Sequence, residues 1–178
     1  MALRYKNSDI EKLKNKTIFF DANVLVYIFW PTYNSNKNWP KIYSSIFGSL
    51  LKNKFNMAIN IAVISEVFNR VIRFEHKNFC NRDNNSIEFK AYRNTKDGKD
   101  AQKLIYDIIK SKILSCFDLT DKMFSTKEIE ELLVLDKLDF NDKIIFSLCK
   151  EKNMVLLTND SDFAQSDIDI LSANPKLK

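Results

Sequence analysis

Short, unbroken apolar runs alternate along this chain with longer segments whose apolar residues recur at helical spacing. Thr17-Ile18-Phe19-Phe20 is β-branched and aromatic, ends at Asp21, and reads as a buried strand. Asn23–Phe29 follows as a short helix, and Pro31 with the Asn/Ser stretch through Asn38 reads as a loop. Pro40 stands near the start of a second helix, where proline is tolerated, and Ile42, Ile46, Leu50 and Leu51 keep helical spacing to about Lys54. Asn56–Ala62 is a second strand, and Val63, Val67, Val71 and Phe74 mark an amphipathic helix over Ile64–His76. Lys77–Lys99 is polar and holds two turn-like runs, Asn84-Asn85-Ser86 and Lys96-Asp97-Gly98-Lys99, so it reads as an exposed insertion with one short helix at Ile87–Tyr92. Helical spacing returns over Ala101–Cys116. Phe117–Leu119 is a short third strand, and Thr126–Leu133 is a helix opened by Ser125/Thr126 with Glu128 close behind. Asn141–Lys152 is a further helix, Met154–Thr158 a very apolar strand, and Ile168–Leu171 a last, edge strand.

Strands that are continuous apolar runs and alternate with helices predict an α/β domain on a parallel sheet. At 178 residues the expected organisation is one domain over 1–178, carrying a basic insertion at about 77–112. The N-terminal stretch Met1–Lys16 mixes charges and lacks an apolar core of its own, so it does not read as a signal peptide. The longest apolar run, Val24–Trp30, is far short of the ~20 residues a membrane helix needs, so no membrane association is expected.

Composition narrows the chemistry. Two glycines, Gly48 and Gly98, cannot build a dinucleotide fingerprint or a P-loop. A single histidine, His76, excludes a multi-histidine metal site and leaves serine or cysteine triads hanging on one residue that reads as a surface or helix-end position. Cys80, Cys116 and Cys149 are odd in number and lack C-x-x-C spacing, which suits free thiols in a reducing, cytoplasmic setting. The net charge of +5 is unevenly spread: residues 1–117 carry 20 basic and 10 acidic groups, whereas 118–169 carry 6 basic and 13 acidic. A basic body beside an acidic pocket suits a protein that attracts phosphate and holds a metal ion.

The acids sit at telling places. Active sites of open α/β sheets gather beyond the carboxyl ends of the strands. Asp21 ends the first strand, Glu66 lies early in the helix after the second, and Asp160 and Asp162 follow the Val155–Thr158 strand. Asp139 and Asp142 share one face at the start of the Asn141–Lys152 helix. Singly, each has a plain structural reading: a strand-terminal turn for Asp21, a helix cap for Asp139-x-x-Asp142, an Asx turn for Asn159-Asp160-Ser161-Asp162. Together they converge on one cleft, where unneutralised carboxylates would repel strongly. Hard divalent cations, Mg²⁺ or Mn²⁺, resolve that conflict.

Phe20-Asp21-Ala22-Asn23-Val24-Leu25 resembles the first motif of PIN domains, a hydrophobic strand followed by D-x-N-x-L. Ser65-Glu66-Val67 resembles the second, Asp139-Phe140-Asn141-Asp142 the third, and Leu157-Thr158-Asn159-Asp160-Ser161-Asp162-Phe163 the fourth. The resemblance covers roughly 17–75 and 117–171 and leaves the insertion outside. It implies a three-layer α/β/α sandwich on a central parallel sheet and Mg²⁺- or Mn²⁺-dependent endoribonuclease activity. It also implies, as in VapC-type toxins, a homodimer neutralised by a cognate antitoxin.

On the resemblance and the placement together, Asp21, Glu66, Asp142 and Asp160 are the expected catalytic, metal-binding acids, supported by Asn23, Asp139, Thr158 and Asp162. Arg70, Arg73, Arg82, Arg93 and Lys96, with Lys77, Lys90 and Lys99, are interleaved with Phe74, Phe79, Phe89 and Tyr92. They are the expected RNA-binding residues, cations for the backbone and rings for unpaired bases. Trp30 and Trp39 read as core or half-buried. The rival readings are a catalytically silent RNA- or protein-binding module of the same fold, an RNA-processing or decay nuclease that is not a toxin, and a DNA nuclease.

Overall fold

The computed structural model describes residues 2–33, 38–83 and 86–177. Six strands form one all-parallel sheet: β1 (Arg4–Tyr5), β2 (Ile18–Phe20), β3 (Met57–Ile59), β4 (Asp118–Leu119), β5 (Val155–Leu157) and β6 (Ile170–Leu171), in the order β1-β6-β5-β2-β3-β4. Every residue of β2, β3 and β5 is buried. Successive strand residues face opposite sides of a sheet, so both faces are covered, as the continuous apolar runs require. The chain leaves β2 outward through β3 to β4, then crosses back so that β5 lies on the other flank of β2. The order therefore reverses between β2 and β5, and that reversal opens a crevice at their carboxyl ends.

The helices are α1 (Ala22–Phe29), α2 (Asn38–Lys52), α3 (Ile61–Asp83), α4 (Phe89–Tyr92), α5 (Lys96–Ile108), α6 (Leu114–Cys116), α7 (Thr126–Leu132) and α8 (Phe140–Glu151). A π-type turn, Ile109–Ile113, joins α5 to α6. Their ends are set by local chemistry. Asn60, 1% exposed, accepts from the Val63 amide at 2.9 Å and opens α3. Ser125 and Glu128 form a reciprocal capping box at α7. Asn153, at φ 50°, takes the left-handed conformation that stops α8. Phe20 packs edge-on against Phe47 of α2 and against Phe117, joining sheet and helix layer at the molecule's centre.

Several expectations are corrected. A sixth strand, β1, pairs with β6, so β6 is interior rather than the edge. The second strand is only Met57–Ile59, because Asn60 turns the chain into α3 at once. That helix continues past His76 to Asp83, and His76 is a half-buried mid-helix residue whose Nε2 lies 2.7 Å from the Ile87 carbonyl oxygen. The expected exposed insertion is instead a packed helical hairpin, in which α5 lies along α3. Tyr92, 2% exposed, is its anchor, packing against Phe79 and His76. Thr95 caps α5 by accepting from the Gly98 amide at 3.0 Å. A Cβ at Gly98 would collide with the Tyr92 carbonyl, so glycine is required for α4 to meet α5. The turn at Asn84-Asn85 and the loop residues 34–37 lie outside the described residues.

Candidate active site

Asp21 occupies the N-cap position of α1, yet its side chain makes no capping bond. Its Oδ2 instead accepts from Thr158 Oγ1 at 2.5 Å and from Asn23 Nδ2 at 2.5 Å. The turn-former reading is thereby set aside. Asp21 is 3% exposed, and its Oδ1 has no hydrogen-bond partner among the described residues. The Thr158 hydroxyl also accepts from the Asp160 amide at 2.9 Å, so one hydroxyl ties the ends of β2 and β5 together across the crevice. Asp160 in turn accepts from the Asp162 amide at 3.0 Å, the expected Asx turn.

Asp142 enters from α8, whose N-terminus lies at the same pole because a crossover helix runs antiparallel to its strands. Asp139 caps that helix, accepting from the Asp142 amide at 2.9 Å. Glu66 projects from the second turn of α3, one-fifth exposed, and pairs with Arg70 one turn on at 2.5 Å.

The electrostatics show that these acids share one field. The Asp142 carboxyl is pushed up to about 8, first by burial and then by Asp139, Asp21, Asp160 and Glu66. Asp21 is pushed up to about 6, first by burial, with the Thr158 hydrogen bond and Arg70 pulling it down and Glu66 and Asp160 raising it. Asp21 is the more deeply buried of the two yet the less displaced. Two donors hold its carboxylate charge, whereas the Asp142 carboxyl accepts no hydrogen bond among the described residues. Among the described residues, no three acidic, histidine or cysteine side chains close into a ready-made metal cage. Each acid but Asp142 rests on a donor instead: Asp21 on Thr158 and Asn23, Glu66 on Arg70, Asp160 on the Asp162 amide. An all-oxygen donor set in which burial and neighbouring carboxylates oppose ionisation fits a hard divalent cation and not a soft one.

Asp162 stands apart. It is exposed, is not among the groups acting on Asp21 or Asp142, and lines a separate groove with Lys137, Lys143 and Phe146.

Sequence reasoning missed the layer beneath. Tyr43 of α2 is fully buried, and its hydroxyl lies 2.9 Å from Asn159 Oδ1, 3.1 Å from the Thr158 carbonyl and 3.3 Å from both Ser172 Oγ and the Ala173 amide. Asn159 is fully engaged: its amide donates to Asn23 Oδ1, its Nδ2 to the Tyr27 hydroxyl, and its carbonyl accepts from Asn174. Ser172 Oγ donates to the Thr158 carbonyl at 2.7 Å. The Thr158–Asp160 segment is thus held by α1, α2 and the residues after β6. Only the small polar residues of the fourth motif hinted at it; nothing near Tyr43 in sequence did.

The expected cations separate. Arg70 belongs to the acid centre through Glu66. Arg73 lies over the Phe89 ring at 4.7 Å, and Arg82 lies over Phe79 and pairs with Asp97 at 3.1 Å, so both also brace the hairpin. Arg93 and Lys96 are exposed. The rings expected to stack on bases are occupied within the chain: Phe74 stacks on Tyr33 at 4.3 Å, and Tyr92 is buried.

Comparison with known proteins follows the same lines. The chain resembles the crystal structure of VapBC2 from Rickettsia felis bound to a DNA fragment from their promoter, at 21% identity and a TM-score of 0.50, covering 88% of this chain and 98% of that one. It also resembles the crystal structure of FitAcB from Neisseria gonorrhoeae, at 15% identity and a TM-score of 0.54, covering 86% and 96%. At such identities the likeness is one of fold. No curated protein matches the sequence. A family model described as PIN domain matches residues 18–168, from β2 and Asp21 through all four acid-bearing segments, and on that match the chain belongs to the PIN-domain family.

Proposed function

We propose that this protein is a Mg²⁺- or Mn²⁺-dependent endoribonuclease, and that it acts as the toxin of a type II toxin–antitoxin pair. The observation that carries the nuclease reading is the gathering of Asp21, Glu66, Asp142 and Asp160 at the β2/β5 crevice, where burial first and the neighbouring carboxylates second push Asp142 up to about 8. Family membership and a fold shared with VapBC2 and FitAcB support the toxin reading. The protein partners are a cognate antitoxin and a second copy of the chain, and the setting is cytoplasmic.

The four acids would hold the ion. When bound, it supplies a water acidic enough to attack a phosphodiester and positive charge for the leaving 3′-oxygen. The chain's own residues do the rest. Thr158 and Asn23 fix one oxygen of Asp21 and leave Oδ1 for the ligand role. Asp139 orients Asp142 by holding its amide. Arg70 neutralises Glu66 and stands ready for the substrate phosphate. The products are a 5′-phosphate and a 3′-hydroxyl.

Expression in a bacterial host tests the proposal. Wild-type protein arrests growth, the Asp21→Asn variant does not, and co-expression of a small neighbouring gene relieves the arrest. Arrest by wild type and Asp21→Asn alike, at equal protein levels, contradicts the assignment.

A further inference from the structure

Glu66, Arg70, Arg73 and Lys77 fall at i, i+4, i+7 and i+11 on α3, which places them in one narrow stripe along the helix. The stripe begins at the acid centre and is cationic from Arg70 onward. By the rise of the helix, Arg73 stands ~10 Å and Lys77 ~16 Å from Glu66 along its axis. Arg73 does not end the path. Its guanidinium lies over Phe89, which delivers the stripe to the adjoining residue Lys90 on α4. There the surface becomes concave, a groove of about 460 Å³ lined by Lys90, Arg93, Asn94, Lys99 and Gln102.

Three features mark this groove as a built surface rather than scattered lysines. Lys90, Arg93 and Lys99 have no ion-pair partner among the described residues. The acids of the same hairpin, Asp97 and Asp100, line a different groove with Glu75 and Arg82, and no carboxylate is among the residues lining the cationic one. The groove is also rigidly mounted. Gln102 Nε2 donates to the Arg93 carbonyl at 2.9 Å and to the Gly98 carbonyl at 3.0 Å, pinning α4 to α5.

We propose that the α3 stripe and the α4–α5 groove form one continuous track for the sugar–phosphate backbone of a single RNA strand, leading away from the cleavage centre. The proposal rests on the nuclease reading and adds a substrate requirement: RNA must be long enough to reach the hairpin to bind tightly. Cations read the backbone without regard to sequence, and the half-buried Phe89 ring serves to mount Arg73.

The test uses the full chain with the triple variant Lys90→Glu/Arg93→Glu/Lys99→Glu, none of which belongs to the acid centre. Fluorescence anisotropy in chelating buffer compares a 20-nucleotide single strand with a four-nucleotide one. The variant binds the longer RNA ~10–100-fold more weakly, and its log–log salt slope falls by about 2, as loss of three phosphate contacts predicts. Binding of the four-nucleotide RNA stays within about twofold. With Mn²⁺, KM for the long RNA rises and kcat holds. The corresponding triple alanine variant serves where the glutamate variant does not fold. Unchanged affinity for the longer RNA, or an equal loss for both lengths, overturns the track while leaving the nuclease reading intact. Wild-type protein that neither binds nor cuts either RNA overturns both.

Discussion

The Asp142→Asn variant bears on the structure's main electrostatic feature, a carboxyl whose ionisation the folded state opposes. Asp142 is pushed from 3.8 up to about 8 in the folded chain. The folded state therefore binds this proton more tightly than the unfolded state does. The stability it confers is fully present below pH 3.8 and is lost as pH rises through about 8. At ~1.4 kcal/mol per tenfold change in proton affinity, the unscreened penalty at pH 7 is about 4 kcal/mol. Asp142 is partly exposed, and solvent screening reduces this to about 1–2 kcal/mol. Asparagine keeps the shape and the amide bond to Asp139 and removes the charge. In EDTA at pH 7 the variant should melt ~2–8 °C higher than wild type, given ~2–4 °C per kcal/mol for a chain of this size. At pH 4.5, close to the carboxyl's ordinary value of 3.8, most of that gap should close. Calorimetry at the two pH values reads the difference directly. A variant that melts at or below the wild-type temperature at pH 7, or one whose gain is the same at pH 4.5, refutes the reasoning.

Three further predictions follow from the same structure. Tyr43→Phe deletes the hydroxyl that holds Asn159 and should cost about 1–2 kcal/mol; amide exchange at Asp160 and Asp162 should quicken, read by hydrogen-exchange mass spectrometry, while β2 and β3 stay protected. Gly98→Ala forces a Cβ into the Tyr92 carbonyl and should cost about 2 kcal/mol, with trypsin cleaving first within the α4–α5 hairpin. Mn²⁺ at ~100 times its dissociation constant should stabilise wild type by about 2.7 kcal/mol and Asp142→Asn by much less, measured as a shift in melting temperature.

Much of this was legible in the chain. Ile18–Phe20 and Val155–Leu157 are recognisable because parallel central strands are apolar on both faces. The acids after them could be placed because strand ends of such sheets carry the chemistry. What escaped depends on partners distant in sequence. Arg4–Tyr5 is a strand only because Ile170–Leu171 lies beside it. The polar run from Lys77 to Asp83 stays helical because Tyr92 and α5 pack against it, not because of its own periodicity. Tyr43 lies 115 residues from Thr158, and no local pattern announces a hydroxyl bond across that span. Adjacency in sequence makes the cations look like one set; in space, Arg70 and Arg82 answer to acids, while Lys90, Arg93 and Lys99 have no ion-pair partner among the described residues.

The central claim is that four carboxylates, none sufficient alone, form one metal-dependent centre that hydrolyses RNA. The most direct measurement is cleavage of 5′-labelled RNA by purified wild type, Asp21→Asn and Asp142→Asn, each with Mn²⁺ and with EDTA. Wild type should cleave with Mn²⁺ alone, leaving 3′-hydroxyl ends, and each variant should lose ~100-fold or more. Cleavage that survives EDTA, or that both variants retain in full, would contradict it.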